Sequence, residues 1–295
     1  MIFNIRHKGW GRIAALLILI LLLGPSLAGC GGGGIVQPAE GGSGLAQDQG
    51  LLYVGSREGK VFALNPENGE EEWMFPPGKE KVEGAIYGTP VLSGESLFLG
   101  TSDGLVYALD AKTGRSKWQN PFPDKGAIVG GLAVAGDTVF VASGNKLYAI
   151  DAETGRPRWQ QPFTAGERIW SSPVIQEDTI YFGSMDHSFY ALDAKTGKER
   201  WQFSTQGAIV STPLVRDEAI YFGAFDGKLY ALRARTGSPL WEEPFSGDSW
   251  FWGQAVYGAG KVFASTVKGT LYAIDARTGV WAWDFQVEGP ISSSP

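Results

Sequence analysis

The sequence contains very little of the two residue types on which many metal and nucleophilic sites depend. It has one cysteine, Cys30, and two histidines, His7 and His187. A single cysteine cannot form a disulfide within the chain, so the stability of the fold must come from packing. One cysteine and two histidines are also too few for zinc sites built from His and Cys, and they argue against a nucleophilic pair of Cys and His. No phosphate loop of the type G-x-x-x-x-G-K-[ST] occurs either.

Charged residues are also scarce, at 19% of 295 residues, whereas glycine is abundant at 42 and tryptophan at 11. This composition is typical of a turn-rich β protein and argues against a helical or disordered chain. Of the 25 basic residues, three (Arg6, Lys8 and Arg12) lie in the N-terminal segment. Without them 22 basic residues face 31 acidic ones, a net charge of −9. That charge disfavours nucleic acid and anionic lipid as partners of the folded part.

Long hydrophobic runs are absent except near the N-terminus, where residues 13–23 form an unbroken apolar run of eleven. A helix of that length covers only about half of a hydrocarbon core of roughly 30 Å, so an export signal is favoured over a permanent membrane span. The run follows the basic start of the chain, as in secretory signals. We therefore predict that residues 1–29 are a signal peptide.

The signal ends in "LAGC" (27–30), which resembles the lipobox of bacterial lipoproteins. The resemblance implies that Cys30 is diacylated and becomes the new N-terminus; the alternative is an ordinary signal peptide in which the cysteine has no such role. Residues 31–44 are rich in glycine and suit a flexible linker. We predict a lipidated cysteine and linker over residues 30–44, an extracytoplasmic location, and attachment to the cell membrane or the outer membrane.

One motif occurs six times in the remainder of the chain. The copies are "VFALNPENGEEEW" (61–73), "VYALDAKTGRSKW" (106–118), "LYAIDAETGRPRW" (147–159), "FYALDAKTGKERW" (189–201), "LYALRARTGSPLW" (229–241) and "LYAIDARTGVWAW" (271–283). Their final tryptophans are 45, 41, 42, 40 and 42 residues apart. A period in the forties indicates one supersecondary unit per repeat, stacked on its neighbours.

Each unit is predicted to contain four short strands, which in the fourth copy span residues 169–175, 179–184, 188–193 and 198–203. Asp-Gly pairs favour tight turns between strands, and His187 takes the place of that glycine as a turn residue. In the third strand both alternating sets of side chains are apolar, for example Tyr190 and Leu192 against Phe189 and Ala191. A sheet buried on both faces needs neighbours on both sides, which radially stacked propeller blades provide.

Small and large residues recur at fixed positions of the repeat. The alanines fit a close approach of adjacent blades and are Ala63, Ala108, Ala149, Ala191, Ala231 and Ala273. The tryptophans are predicted to seal each blade against the next and are Trp73, Trp118, Trp159, Trp201, Trp241 and Trp283. The repeat closely resembles the propeller repeat named after pyrroloquinoline quinone enzymes, over residues 45–295. The predicted fold is an all-β propeller of four-stranded blades with six repeat units.

The chain ends on "ISSSP" (291–295), which matches the start of a further unit, whereas the first unit begins at Leu45 without that segment. One interpretation is a closed six-bladed ring in which the last strand completes the first blade. The other is an incomplete or truncated ring of seven or eight blades, as family members commonly have. We favour the second.

The resemblance raises the question of enzymatic activity. Quinone-dependent dehydrogenases of similar fold carry a catalytic aspartate, a calcium site and often two adjacent cysteines, whereas this chain has no second cysteine. The aspartates that recur lie in equivalent turns, which indicates a structural role: Asp110, Asp151, Asp193 and Asp275. We predict no catalytic residue, no metal site and no cofactor. A glycosidase-like pair of catalytic carboxylates remains as an alternative.

Aromatic residues break the symmetry of the repeat just before the first strand of several units. They are Tyr87, Trp170, Trp250, Phe251 and Trp252, where other copies have Val129 and Val210. These segments approach the central channel of a propeller, and exposed aromatics are favourable anchors for a partner or ligand. The alternative is that they pack inside the hub.

The predicted function is that of a non-catalytic, lipid-anchored propeller that binds envelope proteins. Similar lipoproteins include the propeller subunit of the outer-membrane β-barrel assembly machinery, which implies a scaffold role, with strand addition to blade edges as one mode. The first alternative is a sensor that binds a small molecule or polymer through the aromatic channel mouth. The second is a quinone-dependent dehydrogenase.

Overall fold

The computed structural model describes residues 44–48 and 50–294. Its strands form six antiparallel four-stranded sheets, and in each sheet strands that follow one another in the chain pair with one another. The predicted signal peptide, Cys30 and the predicted linker up to residue 43 lie outside the described residues.

Blades 1 to 3 begin at Leu45 and end at Thr164. Their strands are β1 (Leu45–Asp48), β2 (Leu51–Gly55), β3 (Val61–Leu64), β4 (Glu71–Phe75), β5 (Val91–Ser93), β6 (Ser96–Gly100), β7 (Leu105–Asp110), β8 (Phe122–Pro123), β9 (Ala133–Ala135), β10 (Thr138–Ser143), β11 (Lys146–Asp151) and β12 (Phe163–Thr164).

Blades 4 to 6 follow with the same order of strands. They are β13 (Val174–Gln176), β14 (Thr179–Gly183), β15 (Ser188–Asp193), β16 (Glu199–Ser204), β17 (Leu214–Arg216), β18 (Ala219–Gly223), β19 (Lys228–Arg233), β20 (Phe245–Ser246), β21 (Val256–Gly258), β22 (Lys261–Ser265), β23 (Thr270–Asp275) and β24 (Trp281–Gln286).

The predicted strands of the fourth copy agree with β14, β15 and β16 to within one residue at each end, but the first strand is shorter than predicted. Residues 169–173 lie outside β13. They reach the neighbouring blade, since the Ser171 hydroxyl donates to the carbonyl oxygen of Ser211 at 2.9 Å. His187 has a φ of 66°, which confirms its prediction as a turn residue.

The fourth strands are of two kinds, and a proline explains the difference. In blades 2, 3 and 5 the fourth strand has only two residues, whereas β4, β16 and β24 have five or six. The short strands follow Pro121, Pro162 and Pro244, which stand between the repeat tryptophan and the next phenylalanine. Because proline cannot donate a backbone hydrogen bond, it interrupts pairing along these edges.

The blades stack around a central channel with their first strands innermost. Contacts connect β1 to β5, β5 to β9, β9 to β13 and β13 to β17. Five clusters of buried apolar side chains each combine residues from two consecutive blades, so the core lies in the joints between blades. The prediction of a β-propeller is confirmed, and the sheets of blades 2 to 5 are buried on both faces.

Each of the five joints has the same contact at its outer end. The indole Nε1 of the repeat tryptophan donates to an alanine carbonyl oxygen of the following blade at 3.0 Å, in the pairs Trp73–Ala111, Trp118–Ala152, Trp159–Ala194, Trp201–Ala234 and Trp241–Ala276. The indole ring also covers the glycine of the next turn. A Cβ at Gly114, Gly155, Gly197, Gly237 or Gly279 would lie 2.5–2.9 Å from the ring. The repeat therefore needs glycine there both for its positive φ and for space.

The contact is absent between blade 6 and blade 1 in the described structure. Trp283 is 43% exposed, and nothing lies within 4 Å of where a Cβ of Gly69 would stand. Blade 1 already contains four strands from Leu45 onward, so residues 291–294 do not complete it. They lie along blade 6, where the backbone N–H of Gln254 donates to Ser294 Oγ at 3.1 Å. The described strands therefore do not form the six-bladed ring in which the last strand completes the first blade, and the number of blades stays a prediction.

Candidate binding surface around the central channel

Seven loop segments surround one end of the channel, and we call them the channel loops. Five of them precede the first strands of blades 2 to 6, a sixth is residues 291–294, and Gly44 stands at the seventh position. Together they line a cavity of about 460 Å³. The turns that join the second and third strands of each blade lie on the same side of the ring, which we call the channel-loop face.

Three of the predicted aromatic residues line this cavity. Tyr87, Trp170 and Trp252 are half-buried there, and Val129 and Val210 take the equivalent places in blades 3 and 5. The polar part of the lining consists of hydroxyl, amide and backbone groups, including Ser172, Thr212 and Gln254. The cavity therefore combines aromatic rings with uncharged polar groups.

Phe251 was predicted together with these residues, but the structure places it in the core. It is 1% exposed and belongs to the buried cluster between blades 5 and 6. Its side chain packs on Gly223, as Ile209 packs on Gly183 in the preceding joint. Phe251 therefore fills the position that isoleucine holds in other blades, and its ring is not available to a partner.

Trp250 lies outside the cavity, on the channel-loop face, and is 47% exposed. Its ring is stacked on Phe225 with centroids 4.8 Å apart and planes 13° apart. The other neighbour of Phe225 is Trp252, at 5.4 Å and 26°. We call Trp250, Phe225 and Trp252 the aromatic stack.

Phe225 was not among the site residues predicted from the sequence, although its position in the repeat pointed to it. It is the second residue of the turn between β18 and β19, where the corresponding turns of other blades have Arg57, Ser102, Met185 and Val267. An aromatic residue at that position is thus as unusual within the repeat as Trp250. Only the fold shows that the turn of blade 5 and the channel loop of blade 6 lie side by side.

Carboxylates hold both segments of the aromatic stack in place. Asp226, next to Phe225, accepts hydrogen bonds from the Tyr230 hydroxyl and from the backbone N–H of Lys228. Burial and the bond to Asp226 raise the pKa of Tyr230 well above its usual range, so this tyrosine stays a donor. The stack is therefore positioned on its blade 5 side before any partner binds.

On the blade 6 side the corresponding residue is Asp248. It accepts hydrogen bonds from the hydroxyls of Thr266 and Thr270 at 2.7 and 2.8 Å. Burial opposes the charged form, but these two bonds lower the pKa of Asp248 below its ordinary value. The backbone N–H of Asp248 also donates to the Tyr272 hydroxyl at 3.1 Å, which fixes the loop leading to Trp250.

The channel does not suit the cofactor site of the quinone-dependent dehydrogenases. Such a site needs carboxylates and amides for calcium, whereas the cavity lining contains no charged side chain and one side-chain amide, that of Gln254. Within residues 44–48 and 50–294 no group of three or more His, Cys, Asp or Glu side chains could hold a metal ion. We therefore derive no reaction through a quinone or a metal.

The recurring aspartates lie in the turns between third and fourth strands, on the opposite side of the ring. Asp193 accepts from the backbone N–H and the hydroxyl of Thr196 at 2.9 and 2.8 Å, and from Arg200 at 2.7 Å. Arg200 and Thr196 lower the pKa of Asp193 to about 2. Asp110, Asp151 and Asp275 make the same threonine contacts. These carboxylates stabilise turns.

Six four-stranded blades with a tryptophan-to-glycine contact at each joint define the class of protein as a propeller of PQQ-like repeats. Residues 28–125, 120–249 and 226–295 match the model of the PQQ_2 family, described as "Outer membrane protein assembly factor BamB". The chain belongs to this family, which confirms the resemblance seen in the sequence.

No curated protein matches the sequence. In the described part of the chain, no helix has the length and apolarity needed to span a bilayer.

Two solved structures show how general the fold is. The crystal structure of BamB from Moraxella catarrhalis has a TM-score of 0.69 and 23% identity, covering 82% of this chain and 72% of that chain. The computationally designed Ika8 protein has a TM-score of 0.74 and 17% identity, covering 84% of this chain and 76% of its own. At these identities the likeness shows the fold alone, and function has to be argued from the surface.

Proposed function

We propose that this protein is a non-catalytic scaffold, anchored outside the cytoplasm through lipid on Cys30, which binds an envelope protein with its channel-loop face. The description of its family as an outer membrane protein assembly factor supports the class of partner. The uncharged lining of the channel and the structural bonds of the recurring aspartates support a role without catalysis.

The observation that carries the proposal is the aromatic stack. In blades 2 to 6 the position of Trp250 is identified by its backbone carbonyl oxygen, which accepts a hydrogen bond from the turn beside it. Blades 2 to 5 have Ala85, Ala127, Arg168 and Ala208 at this position. Since those blades fold without an aromatic residue, the fold does not account for Trp250. A half-exposed tryptophan held on rigid loops is the kind of residue that dominates binding energy at protein interfaces.

The cavity itself favours a second candidate function, binding of a small uncharged ligand. Tyr87, Trp170 and Trp252 supply rings, and Ser172 and Gln254 supply donors and acceptors, within about 460 Å³. A cavity of this size is within the range of small-molecule sites, in which aromatic rings and polar groups are combined. Substituting Trp170, which lines the cavity, and Trp250, which lies outside it, separates the two functions: Trp170→Ala should weaken only ligand binding.

The scaffold is tested by photocrosslinking in intact cells. A photoreactive amino acid replaces Trp250, and a matched control chain carries it at Lys195, an exposed residue of a turn on the opposite side of the ring. We expect a reproducible protein adduct from position 250 and none of the same mass from position 195. Introducing Trp252→Ala into the first chain should reduce the adduct, because it removes one side of the aromatic stack. The same adduct pattern from both positions would refute the proposed surface.

A further inference from the structure

The aromatic rings of the channel cavity come from every second blade. Tyr87, Trp170 and Trp252 stand at one position of the channel loops of blades 2, 4 and 6, and blades 3 and 5 have Val129 and Val210 there. Blades 3 and 5 make the same tryptophan contacts with their neighbours, so the joints do not require a ring at this position. The half-buried rings are therefore available to a ligand.

Two of these rings, Trp170 and Trp252, are positioned by contacts within blades 4 to 6. Next to Trp170, the Ser171 hydroxyl donates to the carbonyl oxygen of Ser211 at 2.9 Å. Trp252 is stacked on Phe225 of blade 5, with ring centroids 5.4 Å apart. Blades 4 to 6 pack on one another within the chain, so both rings are held in place before a ligand binds.

The polar groups on the same three channel loops are uncharged, and they include donors as well as acceptors. Ser172 Oγ accepts from the backbone N–H of Gly131 at 2.6 Å, which leaves its own hydroxyl proton to donate. Gln254 Nε2 donates to the carbonyl oxygen of Pro213 at 3.1 Å, which leaves Oε1 as an acceptor. The Thr212 hydroxyl forms no hydrogen bond with another described residue. A ligand must therefore both donate and accept hydrogen bonds to satisfy these groups.

Charge and size narrow the class of ligand further. The described lining contains no charged side chain, so an ionised ligand would lose its hydration there without gaining an ion pair. A volume of about 460 Å³ suits a ligand of many atoms and not a single ion. A neutral sugar fits these conditions, because its C–H groups pack on the negative faces of indole rings while its hydroxyl groups donate and accept.

We propose that the channel cavity binds a neutral saccharide. Its sugar rings pack on Trp170 and Trp252, and its hydroxyl groups form hydrogen bonds with Ser172, Thr212 and Gln254. This inference rests on the second candidate function, the binding of a small uncharged ligand, and names the class of that ligand. Saccharides that carry a charge bind more weakly, because the cavity offers no opposite charge.

Calorimetry and saturation-transfer NMR on the full chain test the proposal, in a detergent without a sugar headgroup. The neutral probes are maltose, cellobiose and N,N′-diacetylchitobiose. The charged probes are cellobiouronic acid and the protonated, deacetylated chitobiose. We expect at least one neutral disaccharide to bind, with an affinity at least about tenfold above that of either charged one. A charged probe that binds as tightly as the best neutral one would overturn the proposal.

Variants of the same chain locate the site. Trp170→Ala should weaken binding of the neutral disaccharide at least about tenfold, and Trp170→Phe, which keeps a ring, should weaken it less. Thr212→Val keeps the shape of the side chain but removes the hydroxyl, and should weaken binding about two- to tenfold. Trp281→Ala removes an exposed tryptophan from the fourth strand of blade 6, outside the cavity, and should change nothing. Unchanged affinity of a Trp170→Ala chain with the parent circular dichroism spectrum would contradict the site.

Two uncharged probes that are not sugars, coumarin and N-acetylglycinamide, separate this inference from the function on which it rests. If one of them binds in a manner that depends on Trp170 while no disaccharide binds, the small-ligand function stands and the saccharide class is wrong. If none of the neutral probes binds, both are wrong. The scaffold function is tested separately, by the adduct formed at position 250.

Discussion

Trp241 and Trp283 occupy the same position in consecutive repeats, yet their surroundings are opposite. Trp241 is 3% exposed and bonded to Ala276, whereas Trp283 is 43% exposed on the outer face of blade 6. Both tryptophans end a copy of the same motif, but a following blade packs against Trp241, whereas none packs against Trp283 in the described structure. The repeat tryptophan therefore stabilises the contact between two blades, and its contribution to stability depends on whether a following blade packs against it.

The largest expected effect is on the free energy of unfolding, which should differ between alanine variants of these two tryptophans. Trp241→Ala opens a cavity between blades 5 and 6 and should lower the free energy of unfolding by about 3–5 kcal/mol. Trp283→Ala removes the contact with Phe263 in its own blade but opens no joint between described blades, and should lower that energy by only about 1 kcal/mol. Urea unfolding at concentrations where the chain is monomeric measures both. Equal losses would mean that blade 6 is covered within its own chain.

The glycines beneath these rings should show a smaller difference. Gly69→Ala meets no atom but places alanine at a positive φ, at a cost of about 1–2 kcal/mol. Gly279→Ala adds the displacement of Trp241, which lies 2.7 Å from the new Cβ, and should cost about 1–3 kcal/mol more. Thermal unfolding of the two variants side by side checks the difference. Identical midpoints would argue against a close contact of Trp241 with the turn.

The smallest expected effect is on stability at acid pH. It separates Asp193 in blade 4 from Asp275 in blade 6. The pKa of Asp193 is lowered from 3.8 to about 2, mainly by Arg200, so its stabilising contribution is complete above pH about 4 and is lost as the pH falls towards 2. Asp193→Asn should therefore flatten the loss of stability over that range. Asp275 has the threonine bonds of the same turn, and its pKa is lowered mainly by Thr278.

Among the described residues no arginine side chain is hydrogen-bonded to Asp275, which accepts from the backbone N–H of Arg277 instead. Asp275→Asn should therefore flatten the acid profile less than Asp193→Asn. Unfolding followed by circular dichroism at several pH values measures both variants. A profile of Asp193→Asn that coincides with the parent chain below pH 4 would contradict the assignment.

The repeat made most of the fold predictable from the sequence. Strands, turns and the role of His187 follow from local patterns that occur six times, so each copy checks the others. The short first strands were not predictable, because residues such as Ser171 bond across to the next blade. The exposure of Trp283 was missed for a related reason, since its position in the repeat says nothing about whether a neighbour exists.

The candidate site was predictable only in part. The aromatic residues that depart from the repeat were visible in the sequence, and Trp170, Trp250 and Trp252 do lie on the channel-loop face. The alignment of Phe251 with isoleucines of other copies could have shown its burial. Phe225 could not have been assigned to the site, because it joins Trp250 and Trp252 only through the stacking of blade 5 on blade 6.

We expect this protein to bind its partner where the copies of the repeat differ. The decisive measurement is the affinity of the purified chain for the protein captured at position 250, determined for Trp250→Ala and for Lys195→Ala. Trp250→Ala should lose at least about tenfold in affinity with unchanged stability, and Lys195→Ala should lose none. Unchanged affinity of a folded Trp250→Ala chain would contradict this expectation.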